Sequence, residues 1–312
     1  MKVGIMGAGA MGCLLGASLA DGRNEIWLVD VWEEHVRKLR KSGLTVSEGE
    51  ADRTVPCNAT TSPEAVGPCG LVIISTKFHD TESATRGALP LITPDTIVLT
   101  VQNGIGNVEI ISQHVDPGRI VFGLTTLGSV LRGPGWIEVT FSQGAETHVW
   151  TLKGEPTGEM RQFVGALNKS GLQIRLSSDV EERIWKKVCL NAGFSVLTAI
   201  TQLSCGDLIS QTASLSLIRG LIQEICHVAE KEGVKIDAEE SYRYVVNLAH
   251  EAPQHKTSFL MDVIRHRKTE IDSLNGAIIE KAEKHHLAVP HNKTISNLVR
   301  IIENTYKERI VD

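Results

Sequence analysis

The sequence predicts an α/β protein of two parts: a doubly wound, largely parallel sheet domain followed by an all-helical domain. Three observations carry that expectation. Short, wholly apolar runs alternate with helix-like stretches through the first half. A glycine-rich turn joins the first such run directly to the first helix. Beyond residue 179 the apolar positions recur at helical spacing almost to the end of the chain.

Taken in order, Lys2–Met6 reads as a buried strand and Met11–Ala20, small and apolar, as a helix. Glu25–Val31 reads as the next strand, followed by a charged helix over Glu33–Lys41. Leu71–Ser75 and Thr96–Val101 are further buried-strand candidates. Fully apolar strands separated by helices imply parallel β-α-β units, and right-handed crossovers then place helices on both faces. Val121–Val130, Trp136–Phe141 and Thr147–Leu152 look strand-like and are expected as an antiparallel extension completing the same sheet. Gly158–Lys169 is expected as a helix and Gln173–Leu176 as a last edge strand.

Ser178 and Asp179, with Glu181 and Glu182 behind them, supply an N-cap and an acidic first turn. The domains are therefore placed at 1–177 and 178–312. Helical periodicity follows in Arg183–Ile200, Leu215–Glu232, Glu239–His250, Ser273–His286 and Lys293–Lys307.

Composition narrows the function classes. A net charge of −5 over 312 residues gives no basic surface for nucleic acid. The six cysteines form no C-x-x-C pair and no zinc pattern, as suits a reducing cytoplasm. The opening apolar stretch is too short for a signal peptide, and no run is long enough to span a bilayer. A cytoplasmic protein without membrane or nucleic-acid partners is expected. The histidines fall into no ligand spacing, so no metal is expected. No G-x-S-x-G elbow supports hydrolysis.

Gly7-Ala8-Gly9-Ala10-Met11-Gly12 matches G-x-G-x-x-G between a strand and a helix, which makes the first domain a Rossmann-type dinucleotide-binding domain. Gly7 permits the tight turn, Gly9 lets backbone approach a pyrophosphate, and Gly12 lets the helix pack closely. Donors at the helix N-terminus then bind phosphate. Asp30 stands at the expected acidic position after the second strand. Its carboxylate can accept ribose hydroxyls and would repel a 2′-phosphate, so NAD(H) is expected to be preferred, with NADP(H) as the alternative. Asp30 could also simply cap the helix that follows.

In the second domain Lys187, Asn191 and Ser195 are four apart and share one helical face beside apolar Ile184, Val188 and Leu190. Such a stripe either finds partners within the fold or faces a ligand. Glu270 opens a late helical stretch, where a carboxylate also suits the helix dipole.

Together these segments resemble the ketopantoate reductase (2-dehydropantoate 2-reductase) family over nearly the whole chain. The resemblance rests on Lys2 through Gly12, Ser75-Thr76-Lys77 and Val101-Gln102-Asn103-Gly104. In the second half it rests on Ile184-Trp185-Lys186-Lys187 leading to Asn191, Leu197-Thr198-Ala199-Ile200, and Thr269-Glu270-Ile271-Asp272 leading to Asn275-Gly276. It implies a helical domain like that of 6-phosphogluconate dehydrogenase, an active site between the domains, and a homodimer through the helical domain. The implied reaction is reduction of ketopantoate to (R)-pantoate, a step of pantothenate biosynthesis. Lys187 corresponds to the family's catalytic lysine. Glu270 would orient it or accept a substrate hydroxyl. Lys77 and Asn103 would lie near the nicotinamide and its ribose, and Asn103, Asn191, Ser195 and Ser258 would hold the substrate.

The chain also departs from the family. Asn-Pro-Leu-Thr-Ala is replaced by Ser195-Val196-Leu197-Thr198-Ala199, and Cys205 stands in Leu203-Ser204-Cys205-Gly206 where an asparagine is usual. A hydroxyl and a thiol cannot reproduce an amide's paired donor and acceptor. The alternatives are therefore a relative acting on another 2-oxo or 2-hydroxy acid, and a dinucleotide-binding regulator without turnover.

Overall fold

The apolar runs become the centre of a parallel sheet because they can be buried on both faces. The computed structural model describes residues 1–20, 22–169 and 172–308. It divides into two units, an α/β unit of residues 1–102 and 107–180 and a helical unit of residues 103–106 and 181–312.

The α/β unit runs β1 (Lys2–Met6), α1 (Ala10–Leu19), β2 (Glu25–Val29), α2 (Glu33–Ser42), β3 (Leu44–Glu48), β4 (Ala51–Val55), β5 (Asn58–Thr60), β6 (Leu71–Ile74) and α3 (Thr81–Ala88). It continues through β7 (Ile97–Thr100), α4 (Asn107–Ser112), β8 (Ile120–Thr125), β9 (Gly128–Gly133), β10 (Trp136–Phe141), β11 (Thr147–Thr151), α5 (Gly158–Lys169) and β12 (Ile174–Leu176). The main sheet has eight strands in the order β12-β11-β8-β7-β6-β1-β2-β5. Its parallel run β5-β2-β1-β6-β7-β8 is the Rossmann order 3-2-1-4-5-6. β11 joins antiparallel to β8, and β12 lies on the edge, parallel to β11.

One expectation is corrected here. Val121–Val130 is not one strand, and Trp136–Phe141 does not extend the main sheet. Residues 128–141 form the β9–β10 hairpin, which joins β3 and β4 in a second, four-stranded sheet ordered β4-β3-β10-β9. The reason lies in α1, which is apolar on every side and must be covered twice. Ile5 and Leu28 of the main sheet meet it on one side. Val46 and Ile137 of the small sheet belong to the same buried cluster, and β3, β9 and β10 pack directly on α1. The strands at 44–60 carry no clear signal in the sequence, because β4 has Asp52, Arg53 and Thr54 exposed and shows no clean alternation.

The helical unit runs α6 (Val180–Leu190), α7 (Val196–Thr201), α8 (Cys205–Ile209), α9 (Thr212–Lys231), α10 (Ala238–Glu251), α11 (Ser258–Ile264), α12 (Ala277–Lys284) and α13 (Pro290–Asn304). Its core is a single apolar cluster including Phe194, Leu221, Ile225, Ile271 and Val299. Among the described residues no helix is long and apolar enough to cross a membrane.

Two π-turns interrupt these helices, at Asn191–Ser195 between α6 and α7 and at Asp272–Gly276 before α12. A π-turn shifts the hydrogen-bond ladder by one residue: Val196 N–H bonds Asn191 O, and Gly276 N–H bonds Ile271 O. The shift releases a carbonyl in the second residue of each turn. The buried Asn275 amide donates to Ala192 O at 3.0 Å and to Asn292 Oδ1 at 2.9 Å. Ser273 O accepts the backbone N–H of Ile105 at 2.9 Å. Asn292 passes the first chain on to Glu224, donating to its carboxylate at 2.8 Å.

Replacing Asn275 with leucine strands two buried acceptors, so Asn275→Leu is expected to lower unfolding free energy by about 2–4 kcal/mol. Urea denaturation of the intact chain reads this directly, and an unchanged midpoint would refute the structural role of the link.

Candidate active site

In the α/β unit, the turn from β1 into α1 forms a phosphate-loop geometry. Gly7 takes φ +94°, and a Cβ there would meet Ser75 O and Thr76 at 2.9 Å. A Cβ on Gly12 would fall on the Gly7 carbonyl, whereas one on Gly9 would meet nothing within 4 Å. The backbone is thus tight where it turns and open where a diphosphate would approach. Gly9 caps α1, and its carbonyl accepts the first intrahelical bond from Cys13 N–H. The N–H groups of Ala10, Met11 and Gly12 occupy the first helical turn, where no intrahelical acceptor exists. Ala8 differs from its neighbours in being buried, with its N–H donated to Asp30 Oδ2 at 2.8 Å.

Asp30 holds backbone on two sides. Oδ1 accepts Trp32 N–H at 2.9 Å while Oδ2 holds Ala8. Each oxygen keeps a lone-pair direction for a hydroxyl. Thr76 Oγ1, at the end of β6, is closed off from solvent and lacks a hydrogen-bond partner among the described residues. Beside it Lys77 is half-buried at the start of a short 3-10 turn. Gln102 ties this edge together, donating to Thr76 O at 2.8 Å and Thr81 Oγ1 at 2.9 Å while accepting from Thr100 Oγ1 at 2.8 Å.

In the helical unit, the π-turn at Asp272–Gly276 organises a second group. Gly104 has φ +83°, and a Cβ there would collide with Ser273, so only glycine lets residues 103–106 lie against that turn. The Ile105–Ser273 bond pins the segment and brings Asn103 to Glu270, with Nδ2 donating to Oε2 at 3.4 Å. Thr269 secures the other side of Glu270, because its N–H and hydroxyl both donate to Glu303 at 2.7 and 2.6 Å.

Lys187, in the last turn of α6, faces this group. Burial pushes its ammonium down to about 8, and the Glu270 carboxylate opposes that fall. Asn191 follows one turn on, half-buried. Ser195 is buried, and its hydroxyl donates to Leu190 O at 3.3 Å. Ser258 is the exposed first residue of α11, placed by its neighbour Thr257, which caps the helix and bonds Thr198 Oγ1 at 2.7 Å. Cys205 lies in the helical core, where burial raises its thiol to about 11 and keeps it protonated.

The structure therefore joins Lys187, Glu270 and Asn103 in one group and the glycine loop, Asp30, Thr76 and Lys77 in another. Sequence reasoning assigned no role to Gln102, Ser273 or Asn275, although Gln102 and Asn275 stand inside motifs it singled out. Their work is to hold backbone, which leaves no chemical signature.

The two-unit architecture, with a phosphate loop on one unit and a desolvated lysine beside a carboxylate on the other, is that of a dinucleotide-type α/β protein with a helical partner unit. The family model described as "Ketopantoate reductase PanE/ApbA" matches residues 3–150, and that of its C-terminal part matches residues 179–303. The chain belongs to this family. A 2-dehydropantoate 2-reductase of Halobacterium salinarum is 30% identical over 304 residues, 97% of this chain and 99% of the relative. One from Streptococcus pyogenes is also 30% identical, covering 97% of this chain and 98% of the relative. Among solved structures, a D-mandelate dehydrogenase with NADH and anilino(oxo)acetate superposes with a TM-score of 0.92 at 29% identity, covering 98% and 99% of the two chains. A Ralstonia eutropha PanE/ApbA family ketopantoate reductase gives 0.88 at 30% identity over the same shares.

Glu270→Gln removes the charge that holds the Lys187 proton, so the lysine pKa is expected to fall further below about 8. NMR of 13Cε-labelled lysine across pH tests this; a rise or no change would refute the coupling.

Proposed function

We propose that the protein is a nicotinamide-dependent reductase of a 2-oxo acid, with ketopantoate as substrate and (R)-pantoate as product. Lys187 carries the reading: a lysine with its pKa drawn down to about 8 beside Glu270 is charged at neutral pH yet releases its proton readily. Bound NADH supplies the hydride to the carbonyl carbon. The Lys187 ammonium donates a hydrogen bond to the ketone oxygen and hands over its proton as alkoxide charge develops there, leaving a neutral amine and the alcohol. A preorganised cation out of bulk water stabilises that charge strongly. Glu270 keeps Lys187 protonated before the step and accepts a substrate hydroxyl. Asn103 and Lys77 serve the nicotinamide ribose, while Asn103, Asn191, Ser195 and Ser258 hold the substrate's polar groups.

The residues of the first unit fit the cofactor. The open space at Gly9, the helix-terminal donors through Gly12 and the orphan Thr76 hydroxyl together suit a diphosphate. Asp30 supports NADH over NADPH, because its carboxylate would face the 2′-phosphate. The solved relative with NADH supports the same choice.

A second reading is a dehydrogenase of a different 2-hydroxy acid. The D-mandelate dehydrogenase superposition favours it, as does the replacement of a family asparagine by Ser195. A polar pocket that loses an amide changes which substrate it accepts more than which reaction it performs.

Oxidation of NADH and NADPH with ketopantoate, assayed in parallel, tests the proposal. Turnover with a clear NADH preference is expected. Turnover on mandelate and its 2-oxo acid but not on ketopantoate would favour the second reading, and preference for NADPH would overturn the role of Asp30. Lys187→Ala is expected to lower kcat by ~10²–10⁴-fold while NADH affinity holds; near-normal turnover would refute its role.

In the direction of reduction the acid form of Lys187 is required, so kcat/KM is expected to be level below pH about 8 and to fall as pH rises through it. The reverse oxidation should rise over the same interval. A flat profile through that interval counts against the assignment.

A further inference from the structure

Beneath the phosphate loop lies an imidazole that the reaction does not use. His35, in the first turn of α2, is 1% exposed. Its Nδ1 accepts the N–H of Gly135 at 2.9 Å. A ring nitrogen that accepts carries no proton, so in the neutral imidazole the proton sits on Nε2. That N–H lies beside Cys13 Sγ, 3.6 Å away, and burial lowers the ring's pKa so that it stays neutral against the pull of Asp30. Cys13 in turn donates its Sγ–H to Ala8 O at 3.1 Å. The Trp32 ring stacks over the imidazole, with centroids 5.4 Å apart and planes at 11°.

Ala8 is thus held at both ends, its N–H by Asp30 and its carbonyl by Cys13, whose sulfur His35 backs. The peptide from Ala8 to Gly9 is planar and trans, so its carbonyl and its N–H point in opposite directions. Tethering the Ala8 carbonyl inward turns the Gly9 N–H outward, and a side chain at Gly9 would meet nothing within 4 Å. The other end of the tether is equally firm. Gly135 lies in the β9–β10 turn, and its carbonyl accepts Thr45 N–H of β3 at 2.8 Å.

We infer that His35 is a positioning residue for the dinucleotide: bridging the small sheet at Gly135 to Cys13, whose thiol holds the Ala8 carbonyl, it aims the Gly9 N–H at the diphosphate and so sets cofactor affinity. The inference rests on the reading that the cofactor is a nicotinamide dinucleotide.

Titration of the intact protein with NADH, followed by nucleotide fluorescence, tests it in three forms: wild type, His35→Phe and His35→Gln. Phenylalanine fills the space without accepting or donating. Its Kd for NADH is expected to rise about tenfold, equivalent to ~1.4 kcal/mol, with KM for NADH rising in step and kcat at saturating NADH changing far less. Glutamine can accept from Gly135 and donate to Cys13 Sγ, and is expected to recover most of the affinity. Equal affinity in wild type and His35→Phe would overturn the inference, as would a glutamine variant no better than the phenylalanine one. A wild type that binds no NADH would instead overturn the cofactor reading. Should His35→Phe not fold, 15N NMR of the wild-type imidazole decides: the Nε2-protonated tautomer is expected near neutral pH, and an Nδ1-protonated ring would refute the bridge.

Discussion

A buried backbone carbonyl that leaves its helix must find another donor, and much of the helical unit's site depends on two such carbonyls. The π-turns at Asn191–Ser195 and Asp272–Gly276 each release one, at Ala192 and Ser273. Their replacement donors are the Asn275 amide and the Ile105 N–H. An unpaired carbonyl in that core would cost about 1–3 kcal/mol, enough to make both links selective. Because the second link comes from residues 103–106, it also seats Asn103 on Glu270, beside the carboxylate whose field acts on Lys187. The surroundings of Lys187 thus follow from where two helices lose their regular ladder.

In the α/β unit the equivalent constraint acts on a single peptide. Ala8 gives its N–H to Asp30 and its carbonyl to Cys13, and so leaves the approach to the loop to Gly9 and the first turn of α1. The small sheet contributes to this through Gly135. It covers the outer side of an all-apolar helix and at the same time braces the turn that precedes it.

Legibility in the sequence varied with the kind of work a residue does. Strands β1, β2, β6 and β7 were readable because burial on both faces writes an unbroken apolar run. The glycine loop was readable because tight turning and close approach admit no other residue. Lys187 and Glu270 attracted notice individually, and only the family resemblance joined them. The small sheet is not announced by any local pattern: its strands are half-exposed, and β10 joins β3 from far along the chain. Gln102, Ser273, Asn275 and His35 went unassigned because each acts on backbone groups far away in sequence.

By itself the sequence determined the class of fold, the phosphate loop with its acidic partner Asp30, and the helical character of everything after residue 180. Those features are local: periodicity, glycine geometry and the order of short motifs. Only the tertiary structure decided that residues 103–106 pack with the helical unit, that the Ser195 hydroxyl donates to Leu190 O, and that Lys187 is desolvated within the field of Glu270. Each of these depends on which groups meet across a hundred residues or within a helix whose ladder has shifted. Spacing along a regular helix cannot convey a shift in that ladder, and desolvation is a property of surroundings that exist only once the chain has folded.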